Sequence, residues 1–296
     1  MIHVFIQRVQ DSTFHHVTDL LRLPVGPGAL HGERFGFGDR PVLLLHGFGT
    51  SGFLWRDIAP SLPLGRVTAF AIDLFGYGES DRALDADFGI GAQADYIDRA
   101  MTVLRVARAD IVGVDVGAAV ALALAARRPA RIRSLVLVNP GDPAALRSAE
   151  LAELQRLQAR NLLESSRGML GATALLGPIL ERSVATPARM PQALIGRYVA
   201  PYVGAEGVSH LMQLERAIND RALDGVDISK IVAPALVLRG DEDGWVAPEV
   251  SAALASRLGR GELLRMADAG RLIPEDAPER LIDVLTDWLV RDNPDG

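Results

Sequence analysis

Four short stretches hold the residues of this chain whose types and spacing could do chemistry. In the first, Gly113-Val-Asp115-Val-Gly117 follows an apolar run and leads straight into an Ala/Leu-rich segment. Glycines two before and two after a central residue allow a turn too tight for Cβ atoms, which holds the central side chain up at a strand's end. Here that side chain is a carboxylate, able to attack an electrophilic carbon or to accept a proton. No G-x-S-x-G occurs elsewhere to offer a serine in its place. Taken alone, the pattern also fits a glycine-eased turn with a capping aspartate. In the second, His46-Gly47-Phe48-Gly49 is a loop whose backbone N–H groups could face a developing anion. Asp73-Leu-Phe-Gly-Tyr-Gly-Glu-Ser80 and Gly240-Asp-Glu-Asp-Gly-Trp245-Val-Ala-Pro248 bring further carboxylates.

Each stretch follows a short run rich in β-branched residues: Val42 to Leu45, Val67 to Ile72, Ile111 to Val114 and Ala235 to Leu238, with Leu135 to Val138 as a fifth. Continuous rather than alternating apolarity predicts strands buried on both faces, separated by crossover helices such as Gly117 to Arg128. The fold class is therefore α/β with a mostly parallel sheet. Loops beyond the carboxyl ends of such strands converge on one crevice. Residues 1 to 40 predict a lead-in strand or hairpin. From Pro143 to about Asp224 the pattern is helical without a strand-like run, as expected of an insertion, and Pro278 to Val290 predicts a closing amphipathic helix.

Composition narrows the chemistry. The 296 residues carry Lys+Arg 31 against Asp+Glu 37, a net charge of −6, with no basic cluster, so neither nucleic acid nor an anionic membrane is an expected partner. Cysteine is absent, which removes disulfides, thiolate nucleophiles and Cys-ligated zinc. The single lysine, Lys230, lies in no phosphate-binding motif. No cofactor and no metal are expected. The N-terminus lacks a signal-peptide pattern and no run of about 18 apolar residues occurs, so the expected location is the cytoplasm. The expected partner is a small molecule, the chain being monomer or homodimer.

The order and spacing of HGFG, DLFGYGES, the G-x-D-x-G turn, the helical insertion and G-D-E-D resemble the α/β-hydrolase superfamily from about Leu30 to Val290. The resemblance implies a core of residues 1–142 and 225–296 and a helical cap at 143–224. It further implies Asp115 as nucleophile, Phe48 and Val116 as oxyanion-hole amides and Asp243 as the acid, with His46, Gly47, Tyr198, Tyr202, His210 and Trp245 as candidate substrate contacts. An aspartate at the turn resembles the dehalogenase and epoxide hydrolase branch. Asp142 is an alternative acid position.

One departure stands out. Where the family places its triad histidine, this chain reads Ala269-Gly270-Arg271-Leu-Ile-Pro-Glu-Asp-Ala-Pro278. A guanidinium cannot accept a proton near neutrality, so Arg271 is expected to be a fixed cation and donor holding Asp115 as carboxylate. An ester formed on Asp115 would lack its usual base. His210 is the one histidine placed to reach down from the insertion, and Tyr198 with Tyr202, at i,i+4, could protonate an epoxide oxygen or form a packing pair. Two functional readings follow: a hydrolase-fold enzyme of epoxide, halide or ester class with doubtful turnover, or a non-hydrolytic lyase, isomerase, cyclase or ligand-binding protein in which Asp115, Arg271 and Asp243 form an ion-pair network. A third, dinucleotide binding, rests on Gly47-Phe-Gly-Thr-Ser-Gly52 with Asp73 beyond it.

Overall fold

The computed structural model describes residues 5–9, 18–63, 65–83, 85–141, 169–204, 206–218, 223 and 226–291. Nine strands form one sheet: β1 Phe5–Val9, β2 Thr18–Pro24, β3 Ala29–Phe35, β4 Arg40–Leu45, β5 Val67–Ile72, β6 Ala109–Val114, β7 Ile132–Val138, β8 Ala235–Gly240 and β9 Gly261–Met266. Their order is β1-β2-β3-β5-β4-β6-β7-β8-β9. From β5 to β9 all neighbours are parallel, and β1, β2 and β3 add an antiparallel edge. The apolar runs form the central strands because both faces are covered; every residue of β6 and β8 is buried.

The chain leaves β4 toward β5 and then crosses back to β6 on the other side, so the strand order reverses at β4. Loops diverge there and open a crevice at the carboxyl ends. The six loops after β4 to β9 all leave the sheet at that edge.

Around the sheet lie α1 Ile90–Val103, α2 Val116–Arg127, α3 Met169–Glu181, α4 Gln192–Val199, α5 Gly207–Ala217, α6 Pro248–Arg257, α7 Ile273–Asp276 and α8 Pro278–Val290. Helix α2 is buried on every side from Val116 to Ala125, which explains its lack of a polar face. The closing helix α8 buries Leu281, Leu285, Trp288 and Leu289, one stripe at helical spacing. No described helix is long and apolar enough to cross a membrane.

Two elements go beyond the sequence expectations. The lead-in is three strands rather than one hairpin, and β9, preceded by α6, was not anticipated. In β9 the residues Glu262 to Arg265 are exposed, with Leu263 and Leu264 each at 40%. An edge strand carries neither the continuous apolarity of a central strand nor a clean alternation. The first part of the expected insertion, and Asp142, lie outside the described residues. Its described part runs helical from α3 to α5 and sits on the site loops. Leu176 of α3 lies against Gly49, where an added Cβ would come 2.6 Å from its Cδ1. Leu214 of α5 lies against Gly76 in the same way, at 3.0 Å from its Cδ2.

Candidate active site

Asp115 occupies the turn between β6 and α2 in a left-handed conformation, φ 52° and ψ −111°. That region is uncommon for a residue with a side chain, and strain of this kind collects at functional sites. Neighbouring glycines make the turn possible. A Cβ on Gly113 would lie 2.4 Å from Gly117 O, and one on Gly117 would lie 2.5 Å from Leu45 O and 2.6 Å from His46 O. The strand end, the helix start and the β4 loop thus meet backbone to backbone. Asp115 N donates to Val138 O at 3.0 Å, which fastens the turn to β7. The carboxylate makes no capping bond to its own helix.

It faces the β4 loop and the loop after β9. Phe48 N donates to Asp115 Oδ2 at 3.0 Å, and Arg271 Nη2 forms a hydrogen-bonded ion pair with the same oxygen. Both side chains are largely buried, Arg271 at 9% and Asp115 at 10% exposure. Oδ1 accepts no hydrogen bond among the described residues. Gly47 approaches the carboxylate so closely that a Cβ would lie 3.1 Å from Asp115 Oδ2. Val116 opens α2, and as first helical residue its N–H has no intrahelical acceptor. The Arg271 guanidinium also rests on Trp245, its Cζ 4.4 Å from the ring centroid.

Asp243 departs from the expected three-membered network. Its Oδ1 accepts Trp245 N at 2.9 Å and Val246 N at 3.4 Å, closing the loop after β8. The ion-pair partner of Asp243 is Arg239, with Nη1 3.9 Å from Oδ2, and Oδ2 has no hydrogen bond among the described residues. No ion pair links Asp243 to Arg271. Burial pushes the Asp243 carboxyl above its ordinary range, against the N–H of Trp245 and the more distant charge of Arg271.

The histidines correct a second expectation. His46 is fully buried; its Nδ1 donates to Gly47 O at 2.8 Å and its Nε2 accepts Leu74 N at 3.0 Å. Burial lowers its pKa, so it is a neutral strut between two loops rather than a substrate contact. His210 Nε2 donates to Gly76 O at 2.6 Å, with the ring edge-on to Phe88 and stacked near Tyr202. It secures α5 to the β5 loop and does not reach down as a base. Burial holds its pKa low as well.

The tyrosines separate. Tyr198 belongs to α4, whereas Tyr202 closes a short 3-10 turn, so one helical face does not present both. The Tyr198 hydroxyl donates to Glu275 Oε1, and Arg56 grips the same carboxylate at 2.8 and 2.7 Å. Tyr198 is therefore spent on structure. The Tyr202 hydroxyl is buried with no hydrogen-bond partner among the described residues.

Three residues escaped the sequence reading. Asn139, at φ 44°, donates from Nδ2 to Gly270 O and Arg271 O at 2.9 and 2.8 Å and accepts Gly240 N at 2.8 Å. One side chain thereby sets the loops of both Arg271 and Asp243. Asp276 accepts Gly270 N at 2.7 Å and Ala185 N at 2.9 Å, clamping the arginine loop to the segment after α3. Tyr77, inside the DLFGYGES stretch, is buried edge-on to His46, within the electrostatic reach of Asp115, Arg271 and Tyr202. Tyr77 and Asp276 lay within stretches quoted for other residues, whereas Asn139 lay in none.

Asp73 also disposes of the dinucleotide pattern. Its Oδ1 accepts Gly52 N at 2.5 Å, and Oδ2 pairs with His31 Nδ1 at 3.0 Å and accepts Glu79 N at 2.8 Å. The stretch after Gly52 is a 3-10 turn, leaving no α-helix N-terminus for a pyrophosphate. Burial alone would raise the Asp73 carboxyl, but the hydrogen bond from His31, the nearby His46 and the Glu79 N–H together hold it low. Burial likewise works to lower His31, and its bond to Asp73 and the surrounding charges outweigh it, so His31 is raised. The depressed acid adds stability above its unfolded pKa near 3.8. The raised histidine adds stability below 6.5 that is lost as pH climbs through its folded value. Thermal melts should therefore show the pair's contribution between about pH 4 and 6.5 and its loss above, and H31N should flatten the loss above neutrality. An unchanged melting profile in H31N would contradict this.

Among the described residues no group of three or more His, Asp or Glu could hold a metal ion.

A sequence profile described as alpha/beta hydrolase fold matches residues 40–278. The chain is 27% identical over 278 residues to a 2-hydroxymuconate semialdehyde hydrolase of a Pseudomonas species, covering 88% of this chain and 89% of that protein. It is 27% identical over 269 residues to a haloalkane dehalogenase of Mesorhizobium japonicum, covering 84% of each. Among solved structures, Cfl2 from Burkholderia cenocepacia superimposes with a TM-score of 0.81 at 23% identity, covering 95% of this chain and 99% of that one.

Proposed function

The chain belongs to the alpha/beta hydrolase fold family, and on that premise we propose that it acts on a small, mostly apolar electrophile of the halide, epoxide or ester class, with Asp115 as nucleophile and hydrolytic release stalled by Arg271. The observation that carries this reading is the asymmetry of the Asp115 carboxylate. Oδ2 is held by Phe48 N–H and Arg271, while Oδ1 accepts no hydrogen bond among the described residues. A carboxylate fixed by one oxygen presents the other. With a halide, an Oδ1 lone pair forms the C–O bond, the carbon–halogen bond breaks, and halide leaves with the pair. No proton donor is needed. With an epoxide, the opened oxygen needs a proton, for which Tyr202 offers a hydroxyl that has no partner among the described residues. With an ester, the N–H of Val116 would face the oxyanion, the Phe48 N–H being held by Asp115 Oδ2.

The residues around Asp115 favour attack over release. Water that opens an alkyl ester is ordinarily activated by a base, and Arg271 accepts no proton. The nitrogens of His46 are both engaged, and His210 and His31 are tied to Gly76 and Asp73. His3, His15 and His16 lie outside the described residues. Residues 143–224 act as the cap in this proposal, supported by the contacts of Leu176 and Leu214 with the loop glycines.

Intact mass spectrometry after incubation with 1-bromobutane, styrene oxide and p-nitrophenyl acetate tests the reading. Wild type should retain an adduct that maps to Asp115, and R271H should shed it. If no electrophile labels Asp115 in either protein, the nucleophile assignment fails, and the closed Arg271–Asp115 pair then favours a ligand-binding protein.

A further inference from the structure

Between one face of β2, β3 and β5 and the segment that begins in α4 lies a cavity of about 430 Å³, within the size range of small-molecule sites. It is separate from the crevice of Asp115: neither Asp115, Phe48, Trp245 nor Arg271 lines it. The register of β3 sets Glu33 opposite Leu20 of β2 and Ala71 of β5, so a carboxylate stands inside an apolar row on the cavity floor. Phe53, Ala200 and Pro201 line it as well. Its other charged groups are matched. His31, on the same face of β3, holds Asp73 at 3.0 Å, and Arg197 stands 3.8 Å from Glu79. Glu33 accepts no hydrogen bond and joins no ion pair among the described residues. Burial pushes its carboxyl up, against the pull of His31, which is already engaged with Asp73. A half-buried carboxylate left uncompensated in this way is costly.

We propose that this cavity binds a small organic ammonium ion, with its N–H groups on the Glu33 carboxylate and its apolar portion along Leu20, Phe53 and Ala71. Charge selects the ligand. The His31–Asp73 and Arg197–Glu79 pairs are each close to neutral, so Glu33 sets the sign of the cavity: an anion is repelled and a neutral alcohol leaves the charge uncompensated. The donor set selects against a metal ion, because no group of three His, Asp or Glu among the described residues could hold one. An ammonium needs only one carboxylate for a charge-assisted hydrogen bond, and the apolar wall strengthens it. Ala200 and Pro201 belong to the segment that lies over the sheet, so an occupant fastens that segment to β3 without touching Asp115. The inference is independent of whether Asp115 acts as a nucleophile.

The test titrates wild type near neutral pH with n-butylammonium chloride, 1-butanol and sodium butanoate, which share a chain and differ in charge, and follows the backbone amides by NMR. Butylammonium should give saturable shifts centred on Glu33, Ala71 and Ala200, and the other two probes should not, a comparison that needs no variant to fold. Glu33→Gln should weaken butylammonium binding on the order of 10- to 100-fold. Occupancy should also raise the melting temperature of wild type and leave that of Glu33→Gln unmoved. Equal responses to butylammonium and 1-butanol, or shifts centred on Gly117 and Gly270 instead of β3, would overturn the inference. So would undiminished affinity in Glu33→Gln, or no saturable binding of butylammonium to wild type.

Discussion

Asp115→Asn is expected to destabilise the protein by about 3–5 kcal/mol, because it leaves the Arg271 guanidinium buried without a counter-charge. The reverse deletion, Arg271→Met, should cost less, about 1–3 kcal/mol. The asymmetry has a structural source. Asp115 stands at the N-terminus of α2, where the helix dipole favours an anion, and it keeps the Phe48 N–H. An unpaired Arg271 faces that same positive end, stacked on the Trp245 ring. The double variant D115N/R271M should be more stable than D115N alone, since the uncompensated cation is gone. Urea unfolding of the four proteins gives the coupling energy. Simple additivity of the two single substitutions would show that the pair contributes nothing, and D115N proving milder than R271M would refute the dipole argument.

Gly117→Ala is expected to have the larger effect on folding. Its new Cβ would fall 2.5 Å from Leu45 O and 2.6 Å from His46 O, backbone atoms of a strand end buried on both sides. Neither neighbour is a side chain that can rotate away, so α2 would have to lift off the sheet or β4 would have to shift. Either movement opens the packing of an all-buried helix, at a cost above about 4 kcal/mol. Circular dichroism and thermal melts should show loss of cooperative unfolding or a steep drop in melting temperature. By contrast, Gly196→Ala meets nothing within 4 Å and lies mid-helix, so it should be neutral or stabilising. If Gly117→Ala melted like wild type, the close approach of helix and strand would be refuted.

Much of the site was legible along the chain because its geometry is local. The pattern Gly113-x-Asp115-x-Gly117 encodes the turn through steric exclusion alone, and the backbone atoms within 3 Å of both glycines' absent Cβ positions are those the missing Cβ atoms would have struck. The parallel sheet followed from continuous apolarity, since β6 and β8 are covered on both faces. Arg271 was expected opposite Asp115 through the resemblance to the hydrolase family, whose triad histidine its position matches, and the ion pair is there.

Partnership over long sequence separation was decided by the tertiary structure. Asp243 and Arg239 look no different in sequence from an acid aimed at Arg271, yet the turn after β8 points the carboxylate at its own loop amides. Tyr198 and Tyr202 share a helical spacing, but a change from α-helix to 3-10 turn between them sends one hydroxyl to Glu275 and leaves the other without a partner among the described residues. Asn139 carries no signal at all, because its importance lies in reaching two loops more than a hundred positions further along the chain. Local sterics and apolar patterning are written in adjacent residues. Which polar groups satisfy one another depends on which strand ends the sheet order brings together, and only the folded chain settles that.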